Sequence, residues 1–480
     1  MKARRSPGVR LDWKGRSWEP NSSNSVQITP AVVERVELGA GKAVGGQLVA
    51  GDVLQVAEHL RRLGMAGSVK LAYVDPPYLS QADYEHEARL DGPADGRVRR
   101  AAAYGERGGE SDGGVGAYLD MLAPRLDALA SLLCETGTLW VQLDWRATYL
   151  ARVVMDEIFG REGFTNEIVW RRAPNLGRQA ASGQFGRTLD SILVYGGPKA
   201  RLSPPTRLEP IEPGAVRWDD AGRPFTTAPR GDYTDLSVAR LEAEGRIHRT
   251  ATGKVYVKYF LVKDHKGTLC RERRIDALWT DVPPLRHASV GERTGYPTQK
   301  PVALLERIIA CATAPGELVV DLFAGSGTTG EAAHRLGRRF VLGDASPMAI
   351  ATARARLLRA GSPLSIESVG VRPEPSAPPE VGIEVGADGA AHVELLAPKE
   401  PLAWAVGILH GDGACDVLWH AERKPGARPV AAPVATTLQL PKGATSLFVR
   451  AFEDDGTVRE GTFAVRMPKG RGARAPRSRT

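Results

Sequence analysis

Two apolar runs in this chain each end at an aspartate that is followed by a stiff or glycine-rich turn, and strand and helix patterns alternate around both. Val69 to Val74 runs straight into Asp75-Pro76-Pro77-Tyr78. Leu318 to Leu322 carries Asp321 into Phe323-Ala324-Gly325-Ser326-Gly327-Thr328-Thr329-Gly330. Short apolar runs closed by such punctuation read as strands buried on both faces. Further strand patterns at 47–50, 137–143, 167–170, 191–195 and 339–342 alternate with helical ones at 53–63, 117–134 (around Pro124) and 150–158. Other helices open at Pro301, end at Leu336, or open at Ser346-Pro347. Such alternation predicts an α/β fold, a parallel sheet covered by helices on both faces.

With 480 residues the chain has room for roughly two to four domains. Residues 1–40 open with a basic, polar stretch and read as an extended or flexible lead-in. Residues 41–196 form one α/β half, interrupted over 80–116 by a Gly-rich, charged loop. The alternation stops over 197–290, an irregular Pro- and Arg-rich insertion, and resumes over 291–361. A proline-rich linker (362–380, with Pro373, Pro375, Pro378 and Pro379) then leads to short alternating segments over 381–467, spaced as in a small β-sandwich. The basic tail, 468–480, has too few apolar residues to fold.

Composition narrows the function. Hydrophobic residues at 42% and charged residues at 25% are globular values, and no apolar run approaches the ~18 to 20 residues of a membrane helix. The N-terminus lacks the apolar core of a secretion signal, so a cytoplasmic protein with no membrane partner is expected. Cys134, Cys270, Cys311 and Cys415 form no CxxC pair and read as buried free thiols. The histidines have no ligand spacing, and no metal is implied. A formal net charge of +8 fits a polyanionic partner through counterion release, although an arginine-rich genome produces the same balance.

The glycine turn lets a ligand lie against bare backbone at the positive end of a helix, and Asp344, about 20 residues on, could bind a ribose. By itself it fits a dinucleotide, an adenosyl cofactor or a plain structural turn; the Gly-Lys-Ser/Thr signature of a phosphate loop is missing. In the other motif neither proline carries an N–H, so Asp75 and the Pro76 carbonyl stand as acceptors beside the Tyr78 ring. Acceptors without donors suit an exocyclic amino group; a proline-stiffened turn is the plain alternative. Asp52 with Gln55 makes a capping box for the helix from Val53.

These motifs, in this order, resemble the amino-methylating DNA methyltransferases (N6-adenine and N4-cytosine), specifically the permuted β group, over about residues 45 to 360. Gly51-Asp52, Gly137 to Asp144, Asp156 to Gly160, Asn166 to Trp170 and Tyr296-Pro297-Thr298-Gln299-Lys300-Pro301 also look like blocks of that family. The resemblance implies a Rossmann-like methyltransferase fold with circularly permuted motif order, beside the small all-β C-terminal domain, and S-adenosylmethionine as cofactor. Asp321, Phe323, Gly325 and Gly327, with Ala324, Ser326 and Thr328 completing the turn, would line its methionine and ribose side. Asp344 would bind the ribose hydroxyls and Asp52 approach the adenine, while Thr298 and Lys300 would close over the methionine.

Asp75, Pro76, Pro77 and Tyr78 would be the catalytic residues. They would act on a base flipped out of duplex DNA by direct in-line transfer, with no covalent enzyme intermediate. An aspartate at the head of the tetrapeptide is the form associated with N6-adenine. The 80–116 loop would act as a lid with Arg97, Arg99, Arg100 and Arg107 near phosphates, and 197–290 would recognise the target, with Arg271, Arg273 and Arg274 as DNA contacts. A cognate restriction enzyme, and a monomeric or homodimeric state, are compatible with the resemblance. The chain departs from the family at Leu79, where Asn is usual, and in Ala345-Ser346-Pro347 after the ribose acid. N4-cytosine methylation is the nearest rival; a non-catalytic DNA-binding or regulatory protein is the alternative of another class. A NAD-dependent dehydrogenase would leave the Asp75 motif unexplained.

Overall fold

The computed structural model describes residues 10–21, 27–36, 45–77, 85–89, 98–102, 113–173, 183, 185–370, 377–423, 432–453 and 457–465, of which 85–89, 98–102, Gly113 and Val290 are described in backbone only. Contact density divides the chain into two units, residues 203–276 and all the rest.

The larger unit begins with β1 (Pro30–Val36) and β2 (Gly46–Ala50), then α1 (Val53–Arg62) and β3 (Val69–Val74). Asp52 caps α1: its carboxylate accepts the Leu54 N–H at 2.9 Å, and Gln55 closes the expected capping box. The predicted loop contains an antiparallel ribbon, β4 (Glu85–Arg89) with β5 (Val98–Ala102); the rest of 78–112 lies outside the described residues. Next come α2 (Gly113–Leu132), which accommodates Pro124, then β6 (Leu133–Leu143), α3 (Thr148–Phe159), β7 (Phe164–Arg171) and β8 (Leu189–Gly196). The lead-in reads differently in the structure. Within 10–21, Arg16 forms an ion pair at 2.8 Å with Glu157 of α3, both side chains buried, and Trp18 joins the core packed on α1, α2 and α3. Residues 1–9 and the 468–480 tail lie outside the described residues.

The smaller unit is ordered where the sequence reads as irregular. It holds β9 (Thr206–Pro210), β10 (Arg217–Trp218), β11 (Pro224–Pro229), α4 (Asp235–Ala243), β12 (Ile247–Arg249), β13 (Val255–Lys263) and β14 (Leu269–Arg274). All its strand pairs are antiparallel, around Phe225, Val257, Leu261 and Cys270. Strands this short, carrying many exposed polar residues, leave only a weak alternation to detect.

The chain then adds β15 (Leu278–Trp279), α5 (Val302–Ala312), β16 (Leu318–Asp321), α6 (Thr328–Arg335), β17 (Arg339–Asp344), α7 (Pro347–Arg359) and β18 (Leu364–Val369). Pro301 and Ser346 cap α5 and α7 where expected. Seven further strands follow: β19 (Glu380–Val385), β20 (Ala390–Ala397), β21 (Ala403–Leu409), β22 (Cys415–Glu422), β23 (Ala435–Gln439), β24 (Ser446–Phe452) and β25 (Val458–Ala464).

The main sheet has 14 strands in the order β15-β7-β8-β6-β3-β16-β17-β2-β18-β1-β22-β21-β24-β25. From β6 to β18 the pairs are parallel, whereas β8 runs antiparallel to both β6 and β7, so the sheet is mixed at that end. Two boundaries differ from the sequence reading. The expected linker holds β18, which pairs with β2 over Leu364 to Ser368; polar Ser365, Glu367 and Ser368 hide that strand from a hydrophobicity reading. Among the C-terminal strands, β20 and β23 share a core with β21, β22 and β24 through Val393, Leu438, Trp404, Ala421 and Val449. The strands β22, β21 and β24 continue the main sheet through the parallel pair of β1 with β22.

Candidate active site

The glycine turn follows β16. Gly325 and Gly327 both have positive φ, +49° and +76°. A Cβ on Gly325 would lie 3.2 Å from the Tyr296 ring, and one on Gly327 only 2.8 Å from Ala353 of α7, so no larger residue fits the second position without displacing backbone. The turn is braced from two sides. Asp344 accepts the Gly325 N–H at 2.9 Å and the Ser346 N–H at 2.8 Å. Asp321 accepts the Phe323 N–H at 3.0 Å and the Thr329 hydroxyl at 2.5 Å.

Asp321 is fully enclosed. Burial, with smaller contributions from Asp75 and Asp344, pushes its carboxyl up to about 7 against the two hydrogen bonds it accepts. A carboxyl whose folded value exceeds its ordinary 3.8 contributes stability that is complete below that value and is lost as pH rises toward about 7. Asp321→Asn keeps an acceptor for Phe323 and removes this titration. Its melting temperature relative to wild type is expected to climb as pH rises through that window; a difference that stays flat with pH would refute the assignment.

Asp75 emerges beside this turn because β3 and β16 are hydrogen-bonded neighbours, with Tyr73 opposite Asp321. The Lys300 ammonium, from the segment before α5, pairs with the Asp75 carboxylate, and the two side chains are 12 and 13% exposed. Pro76 is buried and Pro77 half-buried, while Tyr78 lies outside the described residues. Beneath Asp75 runs a polar network that the sequence reading missed. The Tyr73 hydroxyl donates to Gln142 at 2.7 Å, Gln142 donates to Asp190 at 3.0 Å, and Arg172 pairs with Asp190 at 2.7 Å. Burial, then the neighbouring Asp75, Asp321 and Asp190, holds the Tyr73 phenol well above its ordinary value. The available signal was a glutamine inside the apolar run Leu139-Trp140-Val141-Gln142-Leu143. Asp144 closes locally on Arg146 at 2.5 Å and shapes the end of β6.

The other expected residues divide. The side chains of Ser326 and Thr328 turn inward: Thr328 donates to the Lys300 carbonyl at 3.2 Å and accepts from Arg356 at 2.5 Å, and the Arg356 guanidinium pairs with Glu331 at 2.7 Å. Their hydroxyls therefore brace the turn. Phe323 packs against the core and Ala324 is buried. Thr298 is exposed, its carbonyl 3.5 Å from the Lys300 ammonium. Asp52, besides capping α1, pairs with Arg125 at 2.5 Å. At the ends of β2 and β17 a cavity of about 440 Å³ is lined by Gly51, Asp52, Gln55, Ala345 and Pro347.

Of the expected DNA contacts, Arg99 and Arg100 lie on β5, paired with Ala88 and Glu87, and Arg97 and Arg107 fall outside the described residues. In the smaller unit Arg271 stacks 3.6 Å above the Tyr259 ring, Arg273 pairs with Glu209 at 3.4 Å, and Arg274 is exposed at the end of β14. Among the described residues no group of three or more His, Cys, Asp or Glu is arranged to hold a metal, and no helix is long and apolar enough to cross a membrane.

The chain is 28% identical over 333 residues to the type II methyltransferase M.EcaI of Enterobacter cloacae, covering 64% of this chain and 68% of that one. It is 26% identical over 379 residues to the Mod subunit of the type III restriction-modification enzyme StyLTI of Salmonella typhimurium, covering 68% of this chain and 56% of that subunit. Among solved structures, a complex of M1.HpyAVI with SAM aligns at a TM-score of 0.37 and 16% identity, covering 65% of this chain and 98% of that one. The PvuII DNA methyltransferase, described as cytosine-N4-specific, aligns at 0.39 and 14%, covering 68% and 88%. The family model for N6/N4 DNA methylases matches residues 69–354, more than half of the 480, from the strand before Asp75 to α7 behind the glycine turn, and the chain belongs to that family of amino-methylating DNA methylases.

Proposed function

We propose that this protein is a site-specific DNA methyltransferase that transfers a methyl group from S-adenosylmethionine to the exocyclic N6 of adenine in duplex DNA, as the modification activity of a restriction-modification system. The observation that carries this reading is the meeting of Asp75 and the glycine turn at the ends of two neighbouring strands, with Lys300 holding the Asp75 carboxylate.

The residues present suit an adenosyl cofactor. The turn presents bare backbone at Gly325 and Gly327, and the cavity beside Asp52 and Pro347 is of a size that holds a small molecule. Asp344 accepts the Gly325 and Ser346 N–H groups and so stands against the turn, where a carboxylate suits ribose hydroxyls. Asp321, Phe323, Ala324 and Gly325 would flank the cofactor, with Ser326, Gly327 and Thr328 contributing backbone. When bound, S-adenosylmethionine supplies an electrophilic methyl group.

This chain's own contribution is to hold the acceptor nitrogen. The amino group of the target base donates its two N–H bonds to the Asp75 carboxylate and the Pro76 carbonyl, which raises electron density on nitrogen without a strong base. Lys300 fixes the orientation of Asp75, and Tyr78 is the stacking residue of the motif. A base inside a duplex cannot reach this edge, so it has to be extruded. Arg271, Arg273 and Arg274 of the smaller unit, with the arginines of 80–116, are the proposed DNA contacts. The aspartate at the head of the tetrapeptide supports adenine.

Methyl transfer from labelled S-adenosylmethionine to unmethylated duplex DNA, with mass spectrometry of the digested nucleosides, tests the proposal. N6-methyladenine is the expected product. N4-methylcytosine would replace the target base, and the absence of any product from a protein that binds the cofactor would overturn the enzymatic reading.

A further inference from the structure

The cavity at the ends of β2 and β17 is not enclosed by the methyltransferase half alone. Ala351 and Arg354 of α7 line it, and so do Arg450, Phe452, Val458 and Glu460 of β24 and β25. Those last four residues lie about a hundred positions beyond the stretch that matches the family model. Their presence follows from the sheet: β1 pairs with β18 on one side and with β22 on the other, which brings the C-terminal strands alongside α7.

A chain of charges ties the junction together. Glu34 of β1 takes two hydrogen bonds from Arg354, at 2.8 and 2.5 Å, and Arg450 stands 3.7 Å from Glu34 and 2.8 Å from Glu460. The Phe452 ring sits 4.8 Å from the Arg354 guanidinium carbon and clusters with Ala351 and Ala403. The cavity wall on this side therefore belongs to a packed junction. The cavity is lined by apolar groups at Phe452 and Val458 and has Asp52, which also caps α1 and pairs with Arg125, among its polar residues. Flat apolar faces with a polar edge are the properties of a purine.

We infer that β24 and β25 form part of the cofactor pocket, walling the purine end of the adenosyl group opposite Asp52 and Pro347. This rests on the adenosyl-cofactor reading given above. The C-terminal strands thereby contribute to cofactor affinity, and the bound cofactor in turn ties them to the methyltransferase half.

Val458→Trp in the full chain tests this by filling the cavity from the C-terminal side. Calorimetric titration is expected to show S-adenosylhomocysteine and adenosine both weakened by about tenfold, because overpacking a close-fitting wall costs on that order. The melting temperature of the unliganded protein, measured alongside, is expected to stay at the wild-type value. If the tryptophan variant does not fold, Val458→Ala, which removes wall contacts without adding bulk, is expected to weaken both ligands by about threefold. Wild-type affinity in the folded variant would overturn the inference and leave the methyltransferase reading standing. A wild-type protein that binds neither ligand would overturn both.

Discussion

Asp75→Ala is expected to lower the single-turnover rate of methyl transfer by about a thousandfold or more at saturating cofactor and DNA, with cofactor affinity nearly unchanged. In the proposed mechanism the Asp75 carboxylate is an acceptor for the amino group of the target base, and its removal would take away a contact that matters most as charge develops on the amino nitrogen. The loss has a structural component as well. Lys300 pairs with Asp75 where both side chains are almost enclosed, so the alanine variant leaves an ammonium without this partner. Asp75→Ala with Lys300→Met separates the two effects. The double variant is expected to recover thermal stability relative to Asp75→Ala and to remain inactive, because the acceptor is still missing. An Asp75→Ala protein that methylates at the wild-type rate would remove Asp75 from the chemistry.

Glu34→Ala is expected to destabilise the fold by about 3 to 5 kcal/mol, read from denaturant unfolding of the full chain. Arg354 is completely buried, and Glu34 supplies two of its hydrogen bonds. Burial pushes the Glu34 carboxyl up, but Arg354 and Arg450 together outweigh it and hold the group below the ordinary glutamate value of 4.5. The stability this pair contributes is therefore complete above that value and is lost as pH falls below it. Replacing both Glu34 and Arg354 by leucine is expected to cost less than Glu34→Ala alone, since no uncompensated charge remains. A Glu34→Ala protein within about 1 kcal/mol of wild type would show that the junction does not depend on this pair.

Much of the methyltransferase half was legible because its strands are buried on both faces and therefore nearly continuous in apolar residues. Val69–Val74 is legible to the residue. Helix starts at Asp52, Pro301 and Ser346 were legible for a different reason: capping is a local interaction, decided within a few residues. The strands that were missed do not have that pattern. Pro30–Val36 and Leu364–Val369 carry Glu34 and Glu367, charges that look exposed in sequence and are buried only because Arg354 and His59 meet them from 308 to 320 residues away. Arg16 with Glu157 pins the N-terminal segment in the same way.

The active site divides along the same line. Residue types and order alone determined that Asp75 follows one strand and that a glycine turn follows another, and these motifs in this order carried the resemblance to amino-methylating DNA methylases. Backbone stereochemistry and the donor inventory of proline are properties of short segments, so they survive without a fold. Only the tertiary structure decided that the two strands are neighbours, that Lys300 sits on Asp75, that the hydroxyls of Ser326 and Thr328 face Arg356, and that strands near residue 450 wall a cavity that opens at residue 52. Those are pairings between segments far apart in the chain, and their partners are chosen by burial and charge compensation over the whole molecule.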